Sequence, residues 1–245
     1  MTVSTQARAA VTTIGVATVA AMMGWAAPAG AAMHTGSRVS GLTNPNFAGY
    51  QVQSPKKHIG TVTETFVIPS ITCKKNYSGV GPSVIVASTV NKKTNTYSNS
   101  GAGVGVACVH KLPKYQSIIE VDSTFYNDQP LLAAGDRVTV TTKMGKHKVA
   151  VTLDDLTSNT KFSHTGKGAT GATADLGCAT LQINKHSLGL DPFGKLKVTK
   201  AEVNGKSLKA EKAAKVTWVH KHHVLVTASK LSKGKNFTLT FKRSS

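Results

Sequence analysis

Acidic residues are scarce in this sequence. There are 11 Asp+Glu among 245 residues against 30 Lys+Arg, a formal net charge of +19. Such a chain is drawn to polyanions such as nucleic acid, anionic wall polymers or anionic lipid heads, and the charge says nothing about fold. Aromatic residues make up 6%, too few for a platform that stacks single-stranded bases. Three cysteines exclude a disulfide-dense miniprotein. None stands in a Cys-x-x-Cys pair, which argues against a structural zinc site or a thioredoxin-type centre. There is no Gly-x-Ser-x-Gly elbow. The Gly/Thr/Ala-rich stretch Gly166 to Gly171 lacks the Gly-Lys-Ser/Thr ending of a phosphate loop. What is present is a 40% hydrophobic fraction, too high for a disordered polyelectrolyte. The length suits one large domain or two small ones.

The first residues read as a secretory leader. Arg8 is the only charge before an Ala/Val/Met-rich run from Val11 to Trp25. Pro28 breaks the run, and Ala29-Gly30-Ala31 offers small residues for cleavage. The run is shorter than the roughly 18 apolar residues that favour a spanning helix. The expectation is a signal peptide over residues 1–31, a single domain over residues 32–245, and a secreted, extracellular location. Export permits a disulfide. Cys73, Cys108 and Cys178 then leave one thiol over.

The rest of the chain reads as strands. Thr61 to Ile68, Arg137 to Thr142, Lys148 to Leu153, Leu196 to Thr199, Val224 to Thr227 and Phe237 to Phe241 alternate with period two. They are rich in Val, Thr, Phe and Leu and bounded by turn residues. Ala210 to Lys215 is the only helix-friendly piece. The pattern predicts an all-β antiparallel sandwich or barrel.

Three clusters invite chemistry. Lys195 to Ser245 holds 13 Lys+Arg against Glu202 and Glu211, which reads as a solvated face or a polyanion dock. His220 and His222 would share one face of a strand, beside His223, and could offer two metal ligands, with no third in view. Cys178 could act as a nucleophile if a histidine such as His186 lay beside it; a buried thiol is the simpler reading. No metal or cofactor site follows from these.

Several blocks, in order, resemble the secreted glutamic peptidases, the eqolisin family. Asn46-Phe-Ala-Gly-Tyr50 is similar to the family's opening Asn-Trp-Ala-Gly-Tyr. Thr65-Phe-Val-Ile-Pro-Ser-Ile-Thr-Cys73 resembles its Phe-x-Val-Pro strand with the trailing Cys of bacterial members. Tyr115-Gln-Ser-Ile-Ile-Glu120, after Gly103 to Cys108, is similar to Tyr-x-Ala-Trp-Tyr-Glu. Ala134-Gly-Asp-Arg-Val138 resembles the Pro-Gly-Asp turn. Pro192 to Gly205 looks like the Phe-Gly-x-Val-x-Phe-x-x-Ala stretch. The resemblance implies a concanavalin-like antiparallel β-sandwich of two sheets. It also implies that Cys73 pairs with Cys108. Closing that loop would contribute about 4 kcal/mol in the chain-entropy account.

The family's chemistry rests on a Glu that acts as general base on water and a Gln that stabilises the tetrahedral oxygen. By the same resemblance Gly101 takes the Gln position and Cys178 the Glu position, with Gln182 at a second Glu. Ser83 to Ser88 replaces the Trp-Val-Gly-Ile-Asp-Gly block. Ile118 and Ile119 replace the Trp/Tyr lining. Glu120 and Asp175 are the residual carboxylate candidates. The resemblance therefore implies a secreted basic sandwich without glutamic peptidase activity, binding a peptide or an anionic cell-surface polymer. The alternatives are a divergent acid endopeptidase using Asp175 or Glu120, and a polyanion-binding protein acting through the C-terminal lysines.

Overall fold

The structure is a computed structural model. It describes residues 23–25, 42–54, 58–74, 78–91, 96–126, 132–168, 171–183 and 186–244. Most of the expected leader, and its cleavage point, lie outside the described residues.

Among the described residues nineteen strands occur in chain order. They are β1 (Met23–Trp25), β2 (Leu42–Asn44), β3 (Phe47–Gln53), β4 (Thr61–Val67), β5 (Gly79–Asn91), β6 (Thr96–Val109), β7 (Leu112–Val121), β8 (Thr124–Tyr126), β9 (Arg137–Met144) and β10 (Val149–Asp155). They continue as β11 (Thr160–Gly166), β12 (Gly171–Ala179), β13 (Leu181–Ile183), β14 (His186–Ser187), β15 (Lys195–Val203), β16 (Lys206–Ser207), β17 (Ala214–His220), β18 (His223–Ala228) and β19 (Phe237–Phe241). No helix is present among the described residues. The helix-friendly Ala210 to Lys215 forms a turn and then enters β17.

Fourteen of these strands follow one hydrogen-bonded path, β11-β10-β9-β4-β15-β19-β18-β17-β3-β12-β5-β6-β7-β8. The path folds over on itself, so that β6 and β7 lie against β9, β10 and β11. The result is an antiparallel β-sandwich, as the sequence predicts. β2, off the path, pairs parallel with β17. β1, β13 and β14 form a separate three-stranded sheet.

The two layers differ in how their residues alternate. In the layer of β9, β10 and β15, Val138, Val140, Val151, Leu153, Leu196 and Val198 point inward, with Thr and Lys between them outside. That is the period-two signal of a strand with one wet face. In the layer of β3, β12, β5, β6 and β7 both faces are buried over long stretches. Fully buried side chains such as Phe66, Leu153, Leu176 and Leu196 each contribute roughly 1.5–3 kcal/mol. Gly49 and Gly177 face each other across β3 and β12. A Cβ on either would come within 3 Å of the other's Cα, so only glycine lets these strands meet.

Cys73 and Cys108 form a disulfide with a Cα separation of 5.5 Å, as the resemblance implies. Asp191 braces the same loop by accepting from the Ser78 hydroxyl and, at 3.1 Å, from the Lys74 backbone N–H.

Candidate functional site

The outward face of the doubly buried layer carries the polar cluster. Residue pairing across neighbouring strands sets up one transverse row. Gln51 on β3 pairs with Asp175 on β12, and Asp175 with Ile85 on β5. Ile85 pairs with Gly101 on β6, Gly101 with Glu120 on β7, and Glu120 with Phe125 on β8. Strict alternation puts all six on one side of the sheet. Asp175 and Glu120 stand three strand spacings apart, about 14 Å along the row.

Both carboxyls are almost fully covered, Asp175 at 3% and Glu120 at 4% exposure. Burial lifts Asp175 to about 7, against the pull of the Gln51 amide. The Gln51 Nε2 donates to Asp175 Oδ1 at 2.7 Å, and Gln51 Oε1 accepts from Gln53 Nε2 at 2.8 Å. Burial also lifts Glu120 to about 7. The turn after Glu120 is fixed by polar contacts. Ser98 Oγ donates to Asp122 Oδ1 at 2.5 Å, and the Asp122 N–H donates to Ser100 Oγ at 3.0 Å.

Gly101 sits between the two carboxylates in this row. A Cβ there would lie 2.0 Å from the Val84 carbonyl oxygen and 3.0 Å from Ile85 Cα. These are backbone atoms, so the position holds no side chain without moving β5. In the next row Gly177, Ser83 and Gly103 stand side by side. Ser83 Oγ is buried there without a hydrogen-bond partner. Of the two isoleucines, Ile118 shares this outward face, packed with Ile85, Ala107, Leu181 and Leu188. Ile119 points into the main core.

Cys178 points the other way. It lies on the core side of β12 with Ala174 and Leu176, fully buried. Burial and the neighbouring Glu64 push its thiol far up, so it stays protonated. It does not share a face with Asp175 or Glu120. Gln182 is on β13, paired with Gly24 and Ser187, outside the row.

The expected strand face shared by His220 and His222 does not form. His220 ends β17, Lys221 and His222 make the turn with φ of 45° and 67°, and His223 opens β18 opposite His220. A tight turn needs two residues with positive φ, and that removes His222 from the strand. Cys73, Cys108 and Asp191 are close enough together to hold a metal ion, but the two sulfurs are bonded to each other.

Sequence reasoning missed Gln51 and Glu64. Parity was the available signal. Gln51 has the outward parity of Gly49, and Glu64 the inward parity of Val62 and Phe66. Glu64 is completely buried in the core, both oxygens without a partner, and burial holds its carboxyl well above the usual range.

Comparison with known proteins places this geometry. The profile described as the Peptidase A4 family matches residues 45–241. The fold is similar to scytalido-glutamic peptidase in complex with a transition-state analogue inhibitor, at 14% identity and a TM-score of 0.63, covering 81% of this chain and 99% of that one. It is similar to SCP-B, an eqolisin in complex with the tripeptide Ala-Ile-His, at 14% identity and a TM-score of 0.61, with the same coverage. It also resembles aspergilloglutamic peptidase from Aspergillus niger, at 18% identity and a TM-score of 0.55, covering 67% of this chain and 99% of that one. No curated protein sequence matches it.

Proposed function

Since the chain belongs to the Peptidase A4 family, we propose that it is an exported protein that uses the family's sandwich to bind peptide and does not cleave it by the glutamic mechanism. The observation that carries this reading is Gly101. The position that the resemblance assigns to the oxygen-stabilising amide has no side chain and no room for one. Peptide is the ligand class because SCP-B is held with a tripeptide. Gln51, Ser83, Asp175 and Glu120 are the hydrogen-bonding groups of this face, all four buried.

The carboxyls support the same conclusion. A general base must be ionised to take a proton from water. Asp175 and Glu120, lifted to about 7, are protonated under acid conditions.

One observation favours a second reading. Gln51 and Asp175 form an amide–carboxyl pair at 2.7 Å. Near neutral pH Asp175 is half ionised and could act as base on a water, making the chain a divergent endopeptidase with Asp175 as its carboxylate. Incubation with unfolded casein from about pH 2 to 8, with Asp175→Asn and Glu120→Gln alongside, separates the readings. A folded chain that binds casein peptides and leaves them intact supports the first. Cleavage that peaks near pH 7 and disappears in Asp175→Asn supports the second. Acid cleavage that survives both substitutions overturns both.

A further inference from the structure

A second surface lies on the opposite side of the sandwich and uses none of the residues of the polar row. From Lys195 to Ser245 there are 13 Lys+Arg and two acidic residues. Glu202 is taken by Lys235 at 2.9 Å and Lys200 at 3.3 Å, and Glu211 by Lys206 at 3.9 Å. The other ten cations have no acidic partner among the described residues.

The fold gathers five of them around one groove. Lys195 and Lys197 stand exposed on β15. Phe237 pairs with Val198, so the turn before β19 runs beside the second half of β15. That turn carries exposed Lys230 and Lys233. The Lys209 N–H donates to the Gly234 carbonyl at 3.0 Å, which draws the turn of Lys209 against it. Between them lies a groove of about 220 Å³ lined by Lys197, Thr199, Ser232, Asn236 and Thr238, with Phe237 at its floor.

We infer that this groove and its lysines form a docking surface for a flexible polyol-phosphate polymer. The charge has no acidic partner among the described residues, and ammonium groups are point-charge partners for phosphate. Beside the apolar Val198 and Phe237 the lining carries the hydroxyls of Thr199, Ser229, Ser232 and Thr238 and the Asn236 amide, groups that suit a hydroxylated backbone. Phe237 is only 3% exposed, and the exposed large apolar residues, Leu112, Phe125 and Leu156, lie elsewhere. The surface therefore has no aromatic plane on which a base could stack. That favours a phosphate polymer without bases over a nucleic acid.

The test is binding of poly(glycerol phosphate) to the full chain at 50 and 300 mM NaCl. A single-stranded oligodeoxynucleotide with equal phosphates serves as comparator. One variant carries Lys195→Gln, Lys197→Gln, Lys230→Gln and Lys233→Gln. A second loses equal charge elsewhere, through Lys114→Gln, Lys146→Gln, Lys148→Gln and Lys161→Gln. All are exposed positions, and a thermal melt confirms that each variant is folded. The expected result is at least a tenfold loss in the first variant and less than threefold in the second. The salt slope should fall by about 0.7 for each lysine that met a phosphate. Equal losses in both variants, an oligodeoxynucleotide bound as tightly as the polymer, or no binding at 50 mM would each overturn the inference.

Discussion

Glu64 is a carboxyl in the middle of a hydrocarbon core. It stands on β4 between Val62 and Phe66, opposite Val140, with neither oxygen hydrogen-bonded. The Thr142 hydroxyl nearby is unpaired as well. An unsatisfied buried polar group costs about 1–3 kcal/mol, and an apolar group of the same shape removes the cost. Glu64→Met should therefore raise stability at pH 7 by about 1–3 kcal/mol, read by urea unfolding. The gain should be smaller at pH 4. A carboxyl whose folded value is raised gives its full contribution below the unfolded value and loses it as pH rises. An unchanged or lowered midpoint at pH 7 would refute this account. Glu64 was legible in the sequence by parity alone, since Thr61-Val-Thr-Glu-Thr-Phe66 alternates cleanly. The rule that charged residues face water hid it. Gln51 was hidden differently, because only the pairing of β3 with β12 brings it into contact with Asp175, 124 residues away.

At the scale of strands, β6 constrains the site most. The Gly101 backbone packs so closely on Val84 and Ile85 that the amide the resemblance expects at this position cannot be supplied by one substitution. Gly101→Gln should destabilise by about 1–3 kcal/mol, the cost of overpacking, and should confer no acid proteolysis on casein. Measurable activity in a stable Gly101→Gln protein would show that β5 yields. The same closeness explains which strands the sequence revealed. β4, β9, β10, β15, β18 and β19 each bury one face, so Val and Leu alternate with Thr and Lys. β5, β6 and β12 bury both faces and are rich in glycine and alanine, which erases the period. The cleft layer was therefore the less readable half of the fold. Its family blocks gave the positions of Glu120 and Gly101, while the outward parity of Asp175 needed the register.

The whole molecule should be most stable in mild acid. Glu64, Glu120 and Asp175 all hold protons in the fold above the pH at which the unfolded chain has released them. Each contributes stability that is complete below about pH 4 and is lost as pH rises towards its folded value, by up to about 1.4 kcal/mol per pH unit. Charge repulsion works against this on the acid side, with nine histidines joining a net +19. In 0.5 M salt, where the Debye length is only several ångströms, the urea midpoint should be higher at pH 4.5 than at pH 7.5. Glu120→Gln with Asp175→Asn should flatten the difference. A midpoint that rises with pH in salt would contradict the burial of these groups.

The strand path has one more consequence. β4 pairs with β15, matching Thr63 to Glu202, and β2 and β3 pair with β17. Neither layer can close until the last quarter of the chain is available, and sheets built from such distant partners assemble slowly. A chain that must be threaded through a translocation pore has to stay unfolded while it passes. In a chain that carries the expected leader, the late pairing of the C-terminal strands would act as a timer that keeps it threadable.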